Sequence, residues 1–144
     1  MKSIEASINR RGGLARTRDL LADGHDPQWL RVASSYGRRI IRVRKGWWAT
    51  RDTHPLVIDA RRAGGRLACL SALAMFDGSV APRELHIEVE RHSSRRRIAF
   101  PLRATILVHR PLRRSPGNEA TVTRGAAVAQ AAKCRGLSPE AGER

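Results

Sequence analysis

Apolar residues recur along the chain with two periods, near four in some stretches and two in others, and glycines and prolines separate the stretches. Ile4 and Ile8 lie four apart behind Ser3, so residues 3–9 predict a short amphipathic helix capped by that serine and ended by Gly12-Gly13. Residues 14–24 predict a second helix, with Thr17 as its cap, Leu20 and Leu21 on its buried side and Gly24 as its stop. Asp26 is a capping residue and Pro27 suits the first helical position, which predicts a third helix over 28–35 with Trp29, Leu30 and Ala33 inward. Residues 38–43 are a β-branched run. A basic turn, Arg44-Lys45-Gly46, separates it from Trp47-Trp48-Ala49-Thr50, and together these predict a β-hairpin.

Past residue 51 the pattern changes. A helix is expected over 56–63, stopped by Gly64-Gly65, and a buried helix over the most apolar stretch, 66–76. Residues 85–90 alternate as a half-buried strand does, 91–97 form a polar, basic loop, and 104–109 predict another strand. Residues 111–120 read as a linker rich in proline, glycine and charge, and 123–134 as an alanine-rich helix. The expected fold class is α+β. A winged helix-turn-helix over 1–51 precedes a small helix-plus-strand unit over 52–110, and 111–144 holds the linker and the last helix, partly disordered or truncated.

Composition adds a partner to this picture. There are 28 Lys and Arg against 13 Asp and Glu, a formal net charge of +15, and residues 1–51 hold 12 of the cations against four acids. A localised excess of this size points to a polyanion, and the hairpin points to duplex DNA. Arg38, Arg39, Arg42, Arg44 and Lys45 place five cations within eight residues. Strand alternation is expected to send Arg42 and Arg44 together to the face opposite Ile41 and Val43, as a stripe for phosphates. On the third helix Gln28, Arg31, Ser34 and Ser35 are expected to face base edges, since Gln pairs with adenine and Arg with guanine through two atoms each. Arg16, Thr17 and Arg18 flank the start of the second helix, where backbone N–H groups favour phosphate.

Other chemistries find less support. Cys69 and Cys134 are far apart and no Cys or His stands at local ligand spacing, so neither a disulfide nor a metal site is expected, and no cofactor. Asp59, Asp77, Glu84, Glu88 and Glu90 are scattered, with Glu88 and Glu90 on one strand face, and no catalytic set emerges; the chain is expected not to be an enzyme. The N-terminus lacks an apolar signal region and no window is apolar enough to span a bilayer, so a cytoplasmic location without membrane contact is expected.

The runs RTRDLLADGHD, RRIIRVRKGWWA and ARRAGGRLACLSAL, followed by LHIEV, resemble the N-terminal part of AbiEi-type antitoxins of type IV toxin–antitoxin systems. The resemblance covers about residues 10–110 and is nearest to an actinobacterial branch joined to a very-short-patch-repair-like endonuclease domain. It implies a winged helix that represses its own operon, with a nucleotidyltransferase-like toxin as genetic partner. It also implies that Arg16, Thr17, Arg18, Arg42, Arg44 and Lys45 contact DNA. The alternatives are a truncated relative of that endonuclease branch keeping only the DNA-binding part, or a protein-interaction module that binds a toxin or forms a homodimer.

Overall fold

Ser3 accepts a hydrogen bond from the Ala6 N–H and opens helix α1 (Ile4–Arg10), which buries Ile4 and Ile8. Gly12 and Gly13 follow with φ of +90° and +94°, a conformation that a side chain would strain. They turn the chain into strand β1 (Leu14–Arg16), and only then does helix α2 (Thr17–Ala22) begin. The helix expected from residue 14 therefore starts three residues later. Leu14, Ala15 and Arg16 pair antiparallel with Ala49, Trp48 and Trp47, and this long-range ladder outweighs the local helical preference of a Leu-Ala-Arg triplet. Thr17 is not the cap. Arg16 holds that position without a side-chain bond, and the Thr17 hydroxyl accepts from Trp48 Nε1 at 2.7 Å.

Helix α3 (Pro27–Ser35) is capped by Asp26, whose carboxylate accepts from the Gln28 N–H at 2.7 Å. Leu30 and Ala33 point inward, whereas Trp29 is 59 % exposed, contrary to expectation. One residue before Leu30 is about 100° around the helix, which takes Trp29 off the narrow buried face. Strands β2 (Ile40–Arg44) and β3 (Trp47–Thr50) complete an antiparallel sheet in the order β1-β3-β2. The computed structural model describes residues 3–36, 39–92 and 105–134, so Arg38 and residues 93–97 of the loop expected over 91–97 lie outside the described residues.

This sheet is covered on both faces. Ala15, Ile40 and Trp48 join Ile4, Ile8, Leu20, Leu30 and Ala33 in one cluster, while Leu14, Val43 and Ala49 belong to a larger one. The larger cluster is supplied by helix α4 (Pro55–Arg62), strand β4 (Arg66–Leu67), helix α5 (Cys69–Asp77), strand β5 (Leu85–Glu88) and helix α6 (Arg124–Lys133), with Ile106 and Val108 of strand β6 (Ile106–His109) packed against it. The boundary after residue 51 is thus no break in the core. The second sheet runs β4-β5-β6, with β4 antiparallel and β6 parallel to β5. The fold is mixed α+β, and among the described residues no helix is long and apolar enough to cross a membrane.

Two further expectations change. The helix expected from residue 66 begins at Cys69, because Arg66 and Leu67 pair with Glu88 and Ile87. The segment expected as a linker, 111–120, forms no helix or named strand and is mostly exposed, but its end and the residues that follow join the fold. Ala120, Thr121 and Val122 are buried, and Leu67 exchanges backbone hydrogen bonds with Ala120 and Val122. Its proline- and charge-rich composition marks a chain without repeating structure, but its carbonyls are taken up by arginines. Arg66 donates to the Asn118 and Ser115 carbonyls, and Arg61 to that of Glu119.

Arg11 forms a two-pronged bond to Asp23, which Arg10 also reaches at 2.9 Å, tying α1 to the end of α2. The Arg11 hydrogen bond, with Arg10 behind it, holds the Asp23 carboxyl well below the usual range. Folding lowers this pKa, so the stabilisation is complete above the unfolded value of about 4 and lost as the pH falls through the folded one. Asp23→Asn should therefore flatten the acid limb of the stability-versus-pH curve measured by urea denaturation. An acid limb as steep in the variant as in the parent would refute this clamp.

Candidate functional site

The hairpin turn is fastened to the start of α2: the Thr17 N–H donates to the Gly46 carbonyl at 3.0 Å, one residue from Lys45. Trp48, bonded to Thr17, lies directly opposite Arg42 across the ladder. Arg18, Arg42 and Lys45 are exposed around this junction and make no side-chain hydrogen bond or ion pair among the described residues. Ile40 and Arg42 share one face of β2, and α3 rests Leu30 on that same face, in the cluster that holds Ile40. The opposite side of α3 exposes Gln28, Arg31 and Ser35. Ser34 is half-buried, its hydroxyl donating to the Arg31 carbonyl at 3.0 Å.

Three described basic residues of the expected site, Arg16, Arg39 and Arg44, have partners inside the molecule. A register shift between Arg42 and Arg44 inserts one extra residue into β2. That bulge breaks the alternation expected to keep Arg42 and Arg44 on one face. Arg44 instead lies opposite Trp47 and donates to the Arg61 and Arg62 carbonyls at 3.0 and 3.2 Å, covering the unsatisfied C-terminal end of α4. Arg39 forms a two-pronged bond to Glu5 at 2.7 and 2.8 Å. Arg16 reaches Glu119 at 3.6 Å and lies over the Trp47 ring, which Arg61 covers at 3.9 Å from its centre. Burial, followed by the charges of Arg16, Arg44 and Arg114, lowers Arg61 to about 10 against the pull of Glu119. It stays charged at neutral pH. Beside it opens a cleft of about 430 Å³ whose walls include Arg16, Arg61, Arg66 and Arg114.

A second constellation lies where α5, β5, β6 and the end of α6 meet. Cys69, His86, His109 and Cys134 turn one sulfur or nitrogen each toward a common point, all four atoms within 4.8 Å of one another. Separations of 17, 23 and 25 positions hid this set from local spacing. His86 and His109 come from two neighbouring parallel strands, offset by two residues on one face, since Glu88 is the register partner of His109. That face alternates as polar, but α6 covers it, leaving His86 and Glu88 buried. The available signal was a histidine in each of two apolar strands and a cysteine in each of two predicted helices. Burial, then the neighbouring His109, lowers His86 to about 4, and burial lowers His109 as well, so both rings are neutral at pH 7. Burial pushes the Cys69 thiol up to about 12.

A polar network fixes Cys69. Its N–H donates to Gln130 Oε1 at 2.9 Å, and Gln130 Nε2 donates to Glu88 at 2.8 Å. Glu88 is in turn paired with Arg66 at 2.7 Å, both side chains 3 % exposed. Burial works to raise Glu88, but hydrogen bonds from Ser115 and Arg66 hold it below the usual range. Glu88, read from sequence as part of a scattered acidic set, thus has a structural partner. Cys69 also carries the single positive φ of a non-glycine among the described residues, +53°, a strain of order 1–3 kcal/mol that its surroundings must hold.

The sequence matches no protein-family model, and no curated protein shows significant similarity to it.

The bulge gives Arg42 and Arg44 unequal roles that can be measured. Arg44→Ala should cost about 1–3 kcal/mol in denaturant unfolding, because two carbonyls lose a charged donor. Arg42→Ala should change stability by about 0.5 kcal/mol or less. Equal losses would place both side chains in the same environment and contradict the register shift.

Proposed function

We propose that residues 1–51 form a winged helix-turn-helix that binds duplex DNA, and that the chain is a sequence-specific transcriptional repressor. The observation that carries this reading is the group of exposed cations, Arg18, Arg42 and Lys45, with no side-chain partner among the described residues, around a turn bonded to the start of α2, within an α1-β1-α2-α3-β2-β3 order and a β1-β3-β2 sheet. In this arrangement α3 lies in the major groove and the hairpin is the wing. Gln28 and Arg31 read base edges, with Ser35 beside them and Ser34 at the margin. Arg42 and Lys45 contact phosphates from the wing, and Arg18 does so from α2. Arg39, Arg16, Thr17 and Arg44 support the module rather than touch DNA, since each already has a partner inside the chain. Helix α2 has six residues, too few to add a strong dipole, so its charge contribution rests on Arg18.

The resemblance to AbiEi-type antitoxins extends this reading to a cytoplasmic repressor of its own operon, with a nucleotidyltransferase-like toxin as genetic partner and no catalysis of its own. Anisotropy titrations with the chain's own upstream DNA test it. Affinity should fall steeply with salt. Replacing Arg18, Arg42 and Lys45 together by Ala should lower the slope of log K against log salt by up to roughly 2.7, at about 0.9 per phosphate contact. Arg31→Ala should lower the preference for the upstream site over random duplex while sparing the slope. Indifference to duplex DNA at low salt, or an unaltered slope in the triple variant, would sink the proposal.

A further inference from the structure

We propose that Cys69, His86, His109 and Cys134 bind one zinc ion in a closed, four-coordinate site that staples α6 to the second sheet. The distances carry the inference. His86 Nδ1 and His109 Nε2 are 3.5 Å apart, and Cys134 Sγ lies 3.7 Å from the first and 3.9 Å from the second. A nitrogen-to-nitrogen hydrogen bond would close to about 2.9–3.0 Å. A tetrahedron with zinc–nitrogen and zinc–sulfur arms of about 2.0–2.3 Å has edges of about 3.3–3.8 Å, close to the 3.5, 3.7 and 3.9 Å among His86, His109 and Cys134. The two imidazole nitrogens stand farther apart than a close hydrogen bond, and all four donor atoms, within 4.8 Å of one another, would draw together by up to about 1 Å around an ion.

The donor set agrees with the geometry. Two thiolates and two neutral imidazoles suit zinc among the divalent ions, and four protein ligands leave no open position for a reacting water. Cys69 is also oriented from behind, whereas the buried His86 Nε2 has no hydrogen-bond partner among the described residues. The positive φ of Cys69, held by Gln130 on its N–H, aims that side chain into the cluster at the first residue of α5. The parallel register fixes the two imidazoles on one sheet face. Cys134 caps the end of α6, so the ion closes the helix onto the strands that it covers. On binding, each thiol releases a proton to solvent and the sulfur lone pair forms the bond to zinc. On His86 the metal takes Nδ1, leaving the proton on Nε2.

The full chain, purified reduced from zinc-supplemented culture, should carry one zinc per molecule, released by a mercurial reagent in step with modification of two thiols. Cobalt substitution should give the intense visible bands of a tetrahedral site together with thiolate-to-cobalt charge transfer in the near ultraviolet, a readout that needs no variant. Cys134→Ser should abolish the stoichiometric zinc. Gln130→Ala keeps all four ligands and should weaken binding about ten- to a hundredfold. A folded, metal-free protein with two titratable thiols would overturn the proposal. So would a Cys69–Cys134 disulfide in protein purified under reducing conditions, or bound cobalt without thiolate charge transfer. None of these readouts depends on DNA binding, so failure here leaves the repressor reading to its own test.

Discussion

The pleat of β3 governs the rest of the molecule. Trp47 and Trp48 are adjacent, so they must project from opposite faces of one sheet, and each anchors a different half of the protein. Trp48 packs among the buried residues of α1, α2 and α3 and holds Thr17 through its indole N–H. Trp47 packs against the larger core and is covered by Arg16 and Arg61. The sheet is therefore a shared wall, and the helices that the proposed function assigns to DNA stand on one side of it while the rest of the chain supports it from the other. In a chain with 4 % aromatic residues, two such side chains on one strand carry a large share of the available anchoring area.

That wall divides the arginines by role. A guanidinium can fork onto a carboxylate, cap carbonyls or lie on an aromatic ring, and here it does all three: Arg39 on Glu5, Arg44 on the end of α4, Arg61 over Trp47. The net charge of +15 is thus not all available to a partner. Among the exposed cations, Arg18, Arg42 and Lys45 surround the fastened turn, and Arg31 lies on the outer side of α3. One backbone bond, Thr17 to Gly46, ties that turn to the start of α2 without using a charged group.

The second half is organised by a buried polar chain rather than by apolar contact alone. Arg66 and Glu88 would be costly to bury singly; paired, and with their remaining atoms bonded to Ser115, Asn118 and Gln130, they demand one arrangement of β4, β5, the 115–118 segment and α6. Gln130 passes that demand on to the backbone of Cys69. The arrangement of the Cys–His cluster is therefore a consequence of a satisfied ion pair two residues along the same strand.

Local chemistry sufficed for the elements whose signals are local. Ser3 and Asp26 cap helices, Pro27 sits at a first helical position, and the basic Lys45-Gly46 turn closes a hairpin, because each depends only on residues within a turn of one another. Other features lay beyond local reading. Leu14, Ala15 and Arg16 became a strand through a partner more than thirty residues away. The bulge that separates Arg42 from Arg44 exists only in the paired ladder. The polar face of β5 was buried by a helix that begins 36 positions later. Periodicity reports which side of an element is apolar, but not what will cover the other side. Where four donors from four elements meet is decided by packing alone.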